Sequence, residues 1–314
     1  MAQLKRNFQA GSRKGQSFAK RIGIFTMILI GTICYGFYEF SGAFEGSDSK
    51  PSFHQESSAE YTEESSEAIE VSDRNFLPHG STSNQVIHHQ YYSLAYDEKY
   101  EIPEWVAYVL TSKSLKVKNV PRAKKFKEDP DVERRSAKHS DYTRSGYTRG
   151  HMAPAGDMAF SSNAMKETFY MSNMAPQVRD FNNGIWRELE EQVRDWAYAD
   201  KTLYVVTGPI MKGIKESIGR NDVGVPQAFF KVLLDMEGRD KKAIAFIMPH
   251  ARSDKRIQDY AVSIDEVERE TGIDFFPELT DDREEEKLES SFNINKWKFD
   301  NKRYRLRVEK WNNN

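Results

Sequence analysis

The stretch SGYTRGHMAPAGDM, Ser145 to Met158, holds one histidine, His151, between a glycine and a methionine and directly after Arg149. An imidazole with its ordinary pKa of ~6.5 can move a proton near neutral pH, bind a metal through an unprotonated nitrogen, or pack as a buried ring. About thirty residues on, FNNGIWRELEEQVR sets Asn182 just ahead of an amphipathic segment and Glu190 eight positions later. Eight positions are a little over two helical turns, so both side chains can face one pocket. Between them lies a second polar cluster, SNMAPQ, with Asn173 inside it. Taken singly, the histidine reads as structural, Asn182 as a helix cap and Glu190 as surface charge. Their joint occurrence is what argues for a site.

The elements that hold these residues read as an α+β domain over residues 86–290. QVIHHQYYSLAYDEKYEIPEWVAYVLT offers two β-rich runs around a turn at Asp97–Glu98. TLYVVTGPI, AFFKVLLD and KAIAFIMPH read as core strands of a mixed or antiparallel sheet. Helices are expected at Asn163–Thr168, Gly184–Ala199, Ile257–Thr271 and Asp281–Ser290. The second places Ile185, Leu189, Val193 and Trp196 on one face at helical spacing. His88, His89, His139 and His250 match no ligand spacing and read as structural or surface groups. Trp186 and Trp196 read as packing.

The net charge of -2 conceals a segregation of sign. Residues 1–21 hold six Lys and Arg and no acid, and residues 45–73 hold nine acids against one lysine, a net of -8. Residues 112–149 carry twelve Lys and Arg against five Asp and Glu, a net of +7: a solvated face on the plain reading, a phosphate-binding apron on the functional one. The single cysteine, Cys34, excludes a disulfide framework and a cysteine metal site.

From Ile22 to Tyr38 seventeen residues pass without a charge, behind the basic cluster of residues 1–21. This reads as a transmembrane anchor over 22–44, or a cleaved signal peptide with small residues at Ser41 to Ala43. The long basic flank favours the uncleaved anchor, with residues 1–21 cytoplasmic and the remainder on the far side. That far side is periplasmic, extracellular or organellar, and a cleaved segment would make the domain secreted. Residues 45–85, rich in Ser, Glu and Gly, read as a flexible acidic linker, and residues 291–314 as a C-terminal tail.

Six segments in order, SGYTRGHMAP, YMSNMAPQ, FNNGIWRELEEQVR, VVTGPI, VPQAFFKVLL and VSIDEVERETGIDFFPEL, resemble the nonspecific DNA/RNA endonucleases of the ββα-metal type, over residues 88 to 280. The resemblance implies that fold and a single Mg²⁺, with other divalent cations such as Mn²⁺ as alternatives. It makes His151 the general base and Asn182 the protein ligand of the metal, because Asn182, not Asn183, stands four positions before Trp186. It makes Glu190 the acid that orients the metal's water shell, Arg149 the guanidinium near the scissile phosphate, and Asn173 a polar residue of the same pocket. Arg194 and Lys124 stand where substrate-binding cations are found. The implied partners are DNA and RNA, met through their phosphates; oligomeric state is open, a homodimer being one option.

These residue types suit the reaction. Hydrolysis of a phosphodiester needs a water deprotonated near neutral pH, which imidazole can do. A hard cation that retains most of its waters offsets charge on the phosphoryl and leaving oxygens, and a planar guanidinium donates to a phosphate oxygen. Such a site reads backbone and not base edges. One position departs from the family pattern: Thr148 stands where an aspartate normally precedes Arg-Gly-His, which puts the grip on Arg149 or another support of the site in doubt. The alternative is therefore a nucleic-acid-binding module of the same fold, weakened or inactive in catalysis.

Overall fold

The structure is a computed structural model that describes residues 74–80, 85–279 and 281–313. The anchor, signal-peptide and basic-segment expectations, and most of the linker, lie outside the described residues. Among the described residues no helix is long and apolar enough to cross a membrane.

Seven strands form one sheet: β1 (Gln85–His88), β2 (Ser93–Asp97), β3 (Ile102–Thr111), β6 (Thr202–Pro209), β9 (Ala228–Asp235), β10 (Lys242–Pro249) and β11 (Ala261–Val262), in that spatial order. Every pairing is antiparallel, which resolves the mixed-or-antiparallel expectation. Two small two-stranded sheets lie apart from it, β4 (Thr148–His151) with β5 (Met174–Gln177), and the hairpin β7 (Glu216–Ile218) with β8 (Val223–Val225). The helices are α1 (Ser112–Lys116), α2 (Ser162–Glu167), α3 (Arg187–Asp200), α4 (Ile264–Thr271), α5 (Asp282–Glu289) and α6 (Asn301–Glu309).

Both faces of the sheet are covered, so its central strands are buried almost throughout instead of alternating between apolar and polar. Successive residues still point to opposite layers. On one side Val106, Tyr108, Val205, Phe229, Leu233 and Phe246 meet Ile185, Leu189, Val193 and Trp196. On the other side Trp105, Ala107, Val206, Phe230, Val232 and Ala245 meet Ile264, Val267, Phe275 and Leu288. Each fully buried large side chain contributes about 1.5–3 kcal/mol before ordering costs are counted. Gly150 marks a close approach: a Cβ there would lie 2.1 Å from Cδ of Gln177, so the β4–β5 pair closes only around a glycine.

Four boundaries differ from the sequence expectation. The first β-rich run divides into β1 and β2 with a break at His89–Tyr92. The expected helix at Gly184–Ala199 begins as α3 only at Arg187; before it Phe181–Trp186 forms a wide π-type turn with non-helical geometry at Gly184. The expected helix at Ile257–Thr271 is a short 3₁₀ turn, the edge strand β11 and then α4, capped by the Ser263 hydroxyl. The folded part also extends beyond 86–290 on both sides. Phe76 is wholly buried in the layer opposite α3, and the bridge between His79 and Asp274 holds its segment. The C-terminal residues form α6, whose buried Arg307 pairs with Glu188 of α3 and donates to the carbonyls of Ser253 and Lys255.

Candidate active site

The β4–β5 pair delivers His151, with Thr148 opposite Gln177 and His151 opposite Met174. The ring sits edge-on to Phe169, centroids 5.1 Å apart, and 5.9 Å from Phe126. Only 8% exposed, it keeps Nε2 buried without a hydrogen-bond partner. Burial, and secondarily the charge of Arg122, pushes the imidazole pKa down to about 3. The ring is therefore neutral near pH 7, with a proton affinity that burial holds below the range a general base uses and that a bound anionic phosphate would raise.

Asn182 comes from the wide turn ahead of α3. Its amide N–H donates to the carbonyl of Val178 at 3.0 Å, and the Val178 N–H donates to Nε2 of His250 at 2.6 Å. The other ring nitrogen of His250 meets the Pro226 carbonyl at 2.7 Å. A ring accepting at Nε2 carries its proton on Nδ1, so His250 is a neutral strut that fixes this turn, as its structural reading requires. The Asn182 side chain is oriented by Thr148: Nδ2 donates to Oγ1 of Thr148 at 2.8 Å, and that hydroxyl donates onward to the Gln177 carbonyl at 2.8 Å. With Nδ2 committed to Thr148, the carbonyl oxygen Oδ1 remains as the donor atom for a cation.

On α3, positions 187, 190, 191 and 194 share one face. Arg194 donates to Oδ1 of the buried Asp157 at 2.7 Å, and Oδ2 of Asp157 accepts from the Tyr108 hydroxyl at 2.7 Å. Burial pushes the Glu190 carboxyl above its ordinary range, against the pull of Lys231 and Arg194. Lys231, wholly buried on β9, donates to Thr207 of β6 and lies 5.2 Å from the Trp186 ring; burial pushes its ammonium down. Arg149 sits 5.3 Å from the Phe126 ring and 5.4 Å from that of Tyr142, and donates to the His139 carbonyl at 2.9 Å. His139 thus supports Arg149 from the surface.

One cleft of about 290 Å³ gathers these groups, lined by Arg122, Arg149, His151, Pro154, Ala155, Gly156, Asn182, Asn183, Arg187, Glu190, Glu191 and Arg194. Four guanidinium groups against two carboxylates leave a cationic surplus suited to phosphate. Of the residues singled out in the sequence, His151, Arg149, Asn182, Glu190 and Arg194 all line it. Asn173 does not: it is fully buried, and its amide is spent on the backbone of Ala153 and Thr168, which holds the loop after His151 in place. Lys124 is exposed and is not part of the lining; the basic loop contributes Arg122 instead, its guanidinium 5.1 Å from the Phe169 ring. Sequence reading passed over Arg122, Asp157 and Lys231. Asp157 lies inside the quoted APAGDM segment, and Lys231 stands as the one charged residue in the interior of AFFKVLLD.

The donors fit a hard divalent cation: one amide oxygen and nearby carboxylates, with no thiolate or imidazole cage. Among the described residues the three-ligand clusters are His89 with Asp129 and Asp131, and Asp265 with Glu268 and Glu289, none of which lines the cleft. The first is internally paired, His89 Nε2 lying 2.9 Å from Asp129, which also accepts from Ser172.

The sequence pattern describing DNA/RNA non-specific endonucleases matches residues 75–282. The chain is 39% identical over 202 residues to a mitochondrial nuclease EXOG of Danio rerio, covering 59% of either chain. It is 38% identical over 215 residues to nuclease C1 of Cunninghamella echinulata, covering 63% of this chain and 85% of that one. To human mitochondrial endonuclease G it is 35% identical over 202 residues, covering 60% and 68%. It also matches a crystal structure of an EndoG/EndoGI complex at TM-score 0.60 and 35% identity, covering 64% of this chain and 89% of that one. The matched segment spans 59% and 61% of the Danio and Xenopus EXOG relatives, less than two thirds of their length.

Proposed function

Because this chain belongs to the DNA/RNA non-specific endonuclease family, we propose that it is a metal-dependent nuclease hydrolysing phosphodiester bonds of DNA and RNA, with His151 as general base and Asn182 holding Mg²⁺. The observation that carries this reading is the meeting of His151, Arg149, Asn182, Glu190 and Arg194 in one cationic cleft.

A bound Mg²⁺, or Mn²⁺ in its place, would offset charge on the phosphoryl and leaving oxygens. The remaining work falls to the chain. Arg149 and Arg122 seat the phosphate. His151, neutral through burial, takes a proton from the attacking water, whose oxygen forms the new P–O bond as the ester oxygen departs. Glu190 would accept hydrogen bonds from waters of a bound cation, and Arg194, held by Asp157, faces the phosphate side. Contacts of this kind follow the sugar-phosphate backbone, so many sequences are substrates.

Thr148 weighs against the inactive-module alternative. The hydroxyl that replaces the family aspartate bonds Asn182 and Gln177, so the amide that would carry the metal is held without a carboxylate. The relatives named as mitochondrial, together with the uncharged run Ile22 to Tyr38, support an organellar, membrane-attached catalytic domain. Mass spectrometry of the mature N-terminus tests that placement.

The activity is tested with supercoiled plasmid and with RNA in Mg²⁺. Nicking should stop in EDTA and fall by about 10²–10⁴-fold in His151→Ala. Retained binding with no cleavage by the unaltered chain would sink the enzyme and leave the binding module.

A further inference from the structure

On the side of the sheet away from the cleft, α4 and α5 bring three carboxylates together. Asp265 and Glu268 stand one turn apart on α4, and Glu289 closes the last turn of α5. One carboxylate oxygen from each lies within 4.8 Å of the other two. Asp265 is exposed and Glu268 half-buried, but Glu289 is only 8% exposed, and its Oε1 is buried with no hydrogen-bond partner. The groups acting on Glu289 all have its own sign: burial first, then Glu268, Glu285, Asp274 and Asp265, which together push its carboxyl up to about 9. Nearby cations are engaged elsewhere, Arg269 with Glu266 and Lys241 with Glu284.

Near pH 7 the buried Glu289 carboxyl is therefore held in its neutral form, and a cation bound by all three groups would release it as a carboxylate ligand. The three oxygens are close enough to share one oxygen-seeking divalent cation. Ca²⁺ accepts several carboxylates in flexible geometry, whereas Mg²⁺ demands a near-ideal octahedron and gives up its waters reluctantly. We propose that Asp265, Glu268 and Glu289 form a calcium-type cation site that fastens α5 to α4, independent of the catalytic metal. Asp265 and Glu268 lie within the matched residues 75–282, and Glu289, on α5, lies beyond them. Glu268 is already oriented for the site, its Oε1 accepting from the Phe275 N–H at 2.9 Å.

The test uses the full chain with Asn182→Ala, so that calcium in the cleft does not contribute. Calcium at a hundredfold excess over its dissociation constant should raise Tm by about 5–10 °C, and calorimetry should count one tightly bound Ca²⁺. In the Asn182→Ala/Glu289→Gln double variant both signals should vanish, while its Tm without calcium stays close to that of Asn182→Ala, because the Glu289 carboxyl is uncharged there until a cation binds. Should Glu289→Gln fail to fold, the exposed-side pair Asp265→Asn/Glu268→Gln gives the same reading. A calcium response absent from Asn182→Ala, or undiminished in the carboxylate variants, overturns the proposal. Nuclease activity plays no part in these readouts, so the result stands apart from the catalytic assignment.

Discussion

The two faces of the central sheet are made by alternate residues of the same strands; both are largely apolar, but only one also buries polar side chains of the central strands. On the face toward α3, β3 presents Tyr108 to Asp157, β6 presents Thr207, and β9 presents the buried Lys231 beside Glu190. The residues next to them, Ala107, Val206, Phe230 and Val232, turn to the other side and meet only apolar partners. One strand therefore contributes to chemistry and to cohesion at a spacing of one residue. Polar groups that the strands bury on the cleft side carry desolvation costs that shift their protonation, whereas on the opposite side the strands are apolar and the shifted carboxyls of Glu268 and Glu289 belong to the covering helices α4 and α5. Damage to one face should then spare the property that resides in the other.

The largest effect belongs to the cohesive face. Phe230 is wholly buried and stacks edge-on against Phe275, ring centroids 5.6 Å apart. Phe230→Ala should cost about 3–5 kcal/mol in urea unfolding, with cleavage per folded molecule unchanged. A loss of specific activity in the folded fraction would break the separation of the two faces.

A smaller effect, read on the other face, tests how Asn182 is held. Thr148→Val keeps the shape but removes the hydroxyl that bonds Asn182 and Gln177. Mn²⁺ affinity, followed by its electron paramagnetic resonance signal, should weaken by about 10–100-fold, with recovery in Thr148→Ser and Tm little altered. Unchanged affinity would mean that the Asn182 amide is positioned by the turn alone.

How far this division was legible in the sequence follows from what sets each residue's place. His151, Asn182, Glu190 and Arg194 were legible through the resemblance of six ordered segments to a known family, while helical spacing alone relates only Glu190 and Arg194, since Asn182 lies in the wide turn ahead of α3. The cohesive strands were visible as apolar runs. Arg122 and Lys124 are two residues apart in an irregular basic loop, where no period says which one turns inward. Asn173 reads as an active-site amide, but only tertiary contact reveals that the backbone of Ala153 and Thr168 consumes it. The C-terminal helix α6 read as a tail because much of its buried contact is charge: Arg307 against Glu188 and Arg303 against Glu191. Charged residues look like solvated surface until their partners are known.

The last prediction sharpens the comparison by measuring the protonation of the cleft face through stability. His151 has its pKa pushed down to about 3 in the folded chain, against ~6.5 when unfolded. Between those values the unfolded chain holds a proton on this residue that the folded chain lacks, so stability is fully present above pH ~6.5 and declines as pH falls toward 3. The slope from one such group is at most about 1.4 kcal/mol per pH unit. His151→Asn removes the group, so the difference in unfolding free energy between the unaltered chain and the variant should shrink by that slope from pH 6.5 to pH 4. Phe230→Ala, which ionises nothing, should lower stability by the same amount at both pH values. Parallel pH profiles for the unaltered chain and His151→Asn would mean that the folded ring titrates near its ordinary value, leaving the cleft side of the sheet no drier than solvent.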